Sequence, residues 1–232
     1  MSQQLYTSGV YLEKNPDWHI EESPWKAQQI GRMLTTHHLT PYTICEVGCG
    51  AGEILKQLQE QMDERCLFWG YDISPQALDL ARSRANTRLQ FKLADIGEEK
   101  DTFFDLILVM DVLEHLPDYY SFLAALKPRS EYKIFHVPLD LSVQTVLRPH
   151  ALLNVREWYG HLHYFTKETA LEIFKEAGYD VLDYFYTARA LDTPTHLLGR
   201  KLLRAPRKAL ARVNQDFAAR VLGGWSLLIL TQ

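Results

Sequence analysis

The chain is poor in the features that would staple it, anchor it or lay it on a polyanion. Its 232 residues hold three cysteines, Cys45, Cys49 and Cys66, with no C-x-x-C spacing. An odd number cannot close a disulfide framework, and no zinc knuckle is spelled out. The formal net charge of −4 gives no general attraction to nucleic acid. No apolar run reaches the roughly 20 residues needed to cross a bilayer, and no charged-then-apolar leader opens the chain. The expectation is therefore a cytoplasmic protein. Internal repeats and low-complexity tracts are also absent. What is present is an alternation of short apolar runs with helical patterns, which favours a parallel doubly wound sheet. A chain of this length buries on the order of 70% of its unfolded surface.

The densest information lies in Ile44-Cys45-Glu46-Val47-Gly48-Cys49-Gly50-Ala51-Gly52-Glu53-Ile54-Leu55. An apolar strand ends on a carboxylate, a glycine loop follows, and an amphipathic helix begins. Glycines at 48, 50 and 52 open backbone angles closed to residues with a Cβ and let a ligand lie against the main chain. A dinucleotide site wants G-x-G-x-x-G, but Glu53 occupies the third glycine's place. Glu53 at the helix mouth and Glu46 at the strand end are both poorly placed for a pyrophosphate. Cys49 reads as a small side chain that fits the loop. A second strand, 67–72, ends on Asp72, about 20 residues past Gly52, the interval at which a carboxylate reaches an adenosine ribose. A third run, 89–94, leads to Asp95-Ile96, and a fourth, 104–110, runs through Met110 into Asp111-Val112-Leu113-Glu114-His115-Leu116-Pro117-Asp118.

These four segments, in this order and at these intervals, resemble the class I S-adenosylmethionine-dependent methyltransferases. The resemblance spans roughly 43–232. It implies a Rossmann-like, three-layer α/β/α fold on a doubly wound seven-stranded sheet, parallel except for an antiparallel strand 7. Strands five to seven are expected at 131–137, 179–188 and 223–230. S-adenosyl-L-methionine is then the cofactor and S-adenosyl-L-homocysteine the product. The implied cofactor residues are Glu46, Gly48, Cys49, Gly50, Gly52, Asp72, Ile73, Asp95, Ile96, Met110 and Asp111. The expected domain is single, 1–232, with a helical cap over 1–42 and a helical basic insertion over about 190–222.

Around that frame the residues allow further expectations. Ser23 reads as an N-cap with Pro24 at the first helical position, and Tyr11, Trp18, His19 and Trp25 form an aromatic cluster beside the site or against the sheet. Lys26 reads as a solvated lysine. Thr166 reads as the N-cap of a helix over 167–177 that lacks a full capping box, since Thr169 stands where Glu or Gln is usual. Arg200, Lys201, Arg204, Arg207, Lys208 and Arg212 form a basic run, with Pro206 expected to open a helix to about 221. Either leucines rest on the sheet with the charges solvated, or the run meets an acidic substrate or an anionic surface through 200–212.

Transfer of an activated methyl needs a nucleophile held in line and, for a hydroxyl, a group to manage its proton. His161 and His163, which share a face in an extended chain, and His115 are the catalytic candidates; His136 reads as a core histidine. No third ligand at fitting spacing accompanies the two histidines, so no metal is expected. The reading is methyl transfer to O or N of a small-molecule acceptor, which could be acidic, phosphorylated, or lipid- or sugar-linked. Two alternatives stand beside it: a non-catalytic cofactor-binding module, and an NAD(P)-dependent oxidoreductase.

Overall fold

The computed structural model describes residue 6 and residues 9–18, 20–99, 102–192 and 198–232. Seven strands form one sheet: β1 (Thr43–Val47), β2 (Leu67–Asp72), β3 (Leu89–Leu93), β4 (Phe104–Met110), β5 (Ser130–Pro138), β6 (Val181–Thr187) and β7 (Ser226–Thr231). Their order is β3-β2-β1-β4-β5-β7-β6. β1 to β5 are parallel, and β7 enters antiparallel between β5 and β6. Chain order reverses between β1 and β4, which opens a crevice at their carboxyl ends. The glycine loop after β1 and Asp111 after β4 meet there.

The helices are α1 (Val10–Lys14), α2 (Ser23–Thr36), α3 (Glu53–Gln61), α4 (Pro75–Ala81), α5 (Tyr119–Leu126), α6 (Val143–Leu147), α7 (Ala151–Tyr159), α8 (Lys167–Glu176), α9 (Arg189–Asp192), α10 (Leu198–Val213) and α11 (Gln215–Leu222). Strand alternation divides the core between the sheet's two faces. Ile44, Leu106, Leu108, Ile134 and Leu228 pack with Ile30 and Met33 of α2 and Leu55 and Leu58 of α3. Cys45, Ile107, Val109, Phe135 and Ile229 pack with Leu123 and Leu126 of α5 and Phe174 of α8. Both faces are covered over the central strands, which is why β1, β4 and β7 read as largely apolar runs. Among the described residues no helix is long and apolar enough to cross a membrane.

Three helix ends differ from expectation. Ser23 is inside α2, because a 3-10 turn, Ile20–Glu22, precedes it; Glu22 is the residue before the helix and makes no side-chain cap bond. α8 does have a capping box: the Thr166 hydroxyl accepts from Thr169 N–H, and the Thr169 hydroxyl accepts from Thr166 N–H (2.9 Å). A threonine oxygen thus replaces the usual carboxylate or amide. α10 continues through Pro206, and the break falls at Asn214, whose side chain accepts from Phe217 N–H to cap α11.

Candidate active site

β1 delivers Glu46 to the crevice almost fully buried, 1% exposed, and its Oε2 has no hydrogen-bond partner among the described residues. Burial pushes this carboxyl well above its usual range; nearby Lys26 opposes that and Asp72 adds to it. After β1 the N–H groups of Gly48 and Cys49 both reach the Tyr71 carbonyl, at 2.8 and 3.1 Å. Gly50 N–H then donates to Asp72 Oδ2 and Ser74 N–H to Asp72 Oδ1, each at 2.8 Å. Asp72 therefore ties the glycine loop to the end of β2. Burial raises its pKa, against the pull of those N–H groups. Asp95 accepts from Gly97 N–H at 2.8 Å and sets Ile96, 2% exposed, beside the crevice.

Asp111 follows β4 directly and is held at φ +57°. Its Oδ2 lies 2.6 Å from Lys26 Nζ, and its Oδ1 accepts from His136 Nδ1 at 2.5 Å. Burial resists ionisation of Asp111, but His136 and then Lys26 outweigh it and hold the carboxyl far below its usual range. Lys26 is thus not solvated: it is buried, paired with Asp111, and near Glu22 at 3.6 Å. His136, 4% exposed, is satisfied at both nitrogens, the second meeting Thr187 Oγ1 at 2.9 Å.

One cavity of about 950 Å³ joins these parts. Glu46, Gly48, Cys49, Gly50, Asp72, Ile73, Asp95, Ile96, Met110 and Asp111 all line it, and Gly52 does not. Gly52 sits at φ +75° before α3, where a Cβ would stand 2.4 Å from the Phe91 ring, so its duty is packing. Glu53 lines the cavity too, but its carboxylate is engaged by Arg84 at 2.5 Å and Gln57 at 2.9 Å. Those contacts blunt the repulsion of a pyrophosphate expected from the sequence.

The far wall is polar at its centre and aromatic around it. Tyr6, Tyr11, Trp18 and Trp25 from the N-terminal segment, Tyr159 from α7 and Trp225 face it. His115 and His161 meet there edge to face, ring centres 4.8 Å apart. His161 Nδ1 donates to Asp140 Oδ2 at 2.6 Å, and His115 Nδ1 meets the Tyr6 hydroxyl at 2.8 Å. Burial, then the neighbouring His161, pushes His115 down to about 4. His163 turns away: its Nε2 donates to the Leu116 carbonyl at 2.9 Å and it does not line the cavity. Sequence reasoning missed Glu114 as a site residue. It is fully buried, lines the cavity, and neither carboxylate oxygen has a partner among the described residues.

Where its side chains are described, the basic run is half structural and half exposed. Arg204 donates to the Leu191 carbonyl, and Arg207 to Gln144 Oε1 and the Leu222 carbonyl. Lys208 and Arg212 are exposed.

A crevice at the sheet's reversal point, floored by a glycine loop and edged by carboxylates at successive strand ends, defines a mononucleotide-type cofactor site. A family profile described as a methyltransferase domain matches residues 18–184. The chain belongs to that methyltransferase-domain family and has the Rossmann-like fold of its S-adenosylmethionine-dependent class I members. It is 26% identical to O-methyltransferase 3 of Dictyostelium discoideum over 202 residues, 78% of this chain and 46% of that protein. It is 26% identical to the ubiquinone biosynthesis O-methyltransferase of Vibrio vulnificus over 114 residues, 45% of this chain and 46% of that one. The chain thus spans about half the length of the curated relatives it matches. In structure it is similar to the plantazolicin methyltransferase BpumL, solved in complex with a monoazolic desmethylPZN analogue and S-adenosylhomocysteine. The TM-score is 0.63 at 17% identity, covering 99% of this chain and 92% of that one.

The site's residues fit that cofactor. The orphaned Glu46 oxygen suits an ammonium or sulfonium charge, and the loop glycines leave main chain bare for a ligand. A polyanion would meet Glu46, Asp72 and Asp111 together.

Proposed function

We propose that the chain transfers the methyl group of S-adenosylmethionine to an oxygen of a small-molecule acceptor. The observation that carries this reading is one cavity with two unlike ends: the glycine loop with Glu46 and Asp72, and the aromatic pocket around His115 and His161. Glu46, Gly48, Gly50, Asp72, Asp95 and Ile96 would hold the cofactor, which supplies an already activated methyl. The protein's part is to bring the acceptor in line, at roughly 3 to 3.5 Å, and to keep water out. Tyr6, Tyr11, Trp18 and Trp25, from the 1–42 cap, offer the apolar wall. His161, oriented by Asp140, and His115 receive the acceptor hydroxyl; His163 supports the loop through Leu116. The names of the O-methyltransferase relatives favour oxygen over nitrogen. The aromatic enclosure favours a small acceptor over nucleic acid. Three buried, unpaired thiols fit the reducing cytoplasm.

Calorimetric titration with S-adenosylmethionine, S-adenosylhomocysteine and NAD tests the cofactor. Saturable binding of the first two and not the third is expected, and binding of NAD alone would overturn the reading. A labelled-methyl screen over phenols, aliphatic alcohols and amines then tests the acceptor. Tight cofactor binding without product across the screen would favour a binding module over an enzyme.

A further inference from the structure

We propose that Glu114, His115 and His161 bind a divalent first-row transition-metal cation at the acceptor end of the cavity. The three ligand atoms, a carboxylate oxygen and one nitrogen from each ring, lie within 4.8 Å of one another. Nε2 of His115 stands 3.8 Å from Oε1 of Glu114. Bonds of about 2.0 to 2.2 Å would draw such atoms to roughly 3.3 Å apart, within reach of small side-chain rotations.

The second observation is Glu114 itself. A fully buried carboxylate with both oxygens unpartnered among the described residues is costly, and a cation is the group that would satisfy it. Lys26, the nearby cation, is already committed to Asp111.

The surrounding bonds also set both rings for coordination. His161 Nδ1 donates to Asp140, which leaves Nε2 with its lone pair. The Tyr6 hydroxyl donates to the Tyr159 carbonyl at 3.3 Å and so accepts from His115 Nδ1. A carboxylate or hydroxyl behind each imidazole is how metal-ligating histidines are held. The backbone brings the pieces together: the Glu114 carbonyl accepts from Leu162 N–H at 2.7 Å and His163 N–H at 3.1 Å. The 160s loop is thereby pinned on the turn that follows β4.

Two imidazoles and one carboxylate with open positions suit zinc, manganese, iron or cobalt as divalent ions. Resting on the methyl-transfer reading, the cation's use is to bind the acceptor hydroxyl and lower its pKa. The O–H bond then breaks with its electron pair kept on oxygen, and the proton leaves to solvent as the acceptor binds, before water is shut out. His161 would act as a ligand and not as the base.

The test is calorimetry of the chelator-treated full chain with Zn²⁺ and, separately, Mn²⁺, with Mn²⁺ electron paramagnetic resonance as a second readout. S-adenosylhomocysteine is titrated into every variant as a check of fold and cofactor site. One equivalent of metal is expected. Glu114→Gln and His161→Asn should each weaken it at least 10-fold, and Asp140→Asn about 10-fold, with S-adenosylhomocysteine affinity kept. Lys208→Glu, at an exposed position of α10, should leave metal binding unchanged. If Glu114→Gln loses the fold, His161→Asn decides. No saturable metal binding by the wild type, or equal binding by the two ligand variants, overturns the site. Metal bound but S-adenosylhomocysteine not bound would instead strike the methyl-transfer reading and leave the site standing.

Discussion

Gly50 and Gly52 share a loop and a left-handed backbone, yet their duties differ. At Gly50 a Cβ would meet the Trp18 ring at 2.5 Å, on the cavity side; at Gly52 it would strike Phe91, behind the loop. Gly52→Ala should therefore cost about 1 to 3 kcal/mol, from the left-handed angle and the overpacked ring, and is read as a lower denaturation midpoint. Its effect on cofactor affinity should be smaller than its effect on stability. Asp72 shows the opposite balance. Its bonds to the Gly50 and Ser74 N–H groups hold the loop, and the residue lines the cavity. Asp72→Ala should weaken S-adenosylhomocysteine binding by about 1.5 to 3 kcal/mol in a titration, and unchanged affinity would remove Asp72 from the cofactor site. Such residues were legible because strand, loop and partner lie close in sequence. Lys26 was not, since Asp111, the partner that buries it, arrives from the other side of the sheet's switch point.

Strands were the legible elements and helix ends the illegible ones. A run such as Phe104–Met110 announces itself because it is covered on both faces. An end depends on one or two hydrogen bonds, and those can be supplied by atoms no pattern specifies, such as the Thr169 hydroxyl. Charge runs mislead for a related reason: sequence shows the charge and not its direction. In α10, Arg207 is spent on Gln144 and on the carbonyl of Leu222 at the end of α11, whereas Lys208 is exposed. Arg207→Ala should cost about 1 to 2 kcal/mol in thermal or denaturant unfolding, by freeing a helix-end carbonyl and removing a half-buried stem. Lys208→Glu should stay within about 0.5 kcal/mol. Equal effects would mean that the run acts as a solvated stripe, as charge counting alone suggests.

Across the molecule, the parallel strands deliver carboxylates to one place: Glu46, Asp72, Asp111 and Glu114 all line the same cavity. The sheet order that does this follows from the order of the motifs. The meeting of Glu114 with His161 does not, because it arises from a loop docking on a turn and leaves no local signature. Gathering carboxylates in a buried crevice costs stability that a cationic ligand returns. Glu46 makes the effect measurable. Its folded pKa lies above the unfolded value near 4.3, so between the two the unfolded state is ionised while the folded state keeps its proton. The unfolded state then binds fewer protons, and stability falls as pH rises through that window; Glu46's contribution is whole only below about pH 4.3. Glu46→Gln removes the titration. The ligand-free protein should melt higher at pH 8, gain little at pH 4, and show a flatter pH profile between them. The same change deletes the carboxyl group proposed to face the ligand's ammonium, so S-adenosylhomocysteine affinity should drop about 10-fold or more. Opposite signs in the two measurements are the signature of a group kept for binding at the expense of the fold. A higher midpoint with affinity unchanged would assign Glu46 to neither the ammonium nor the sulfonium end of the ligand.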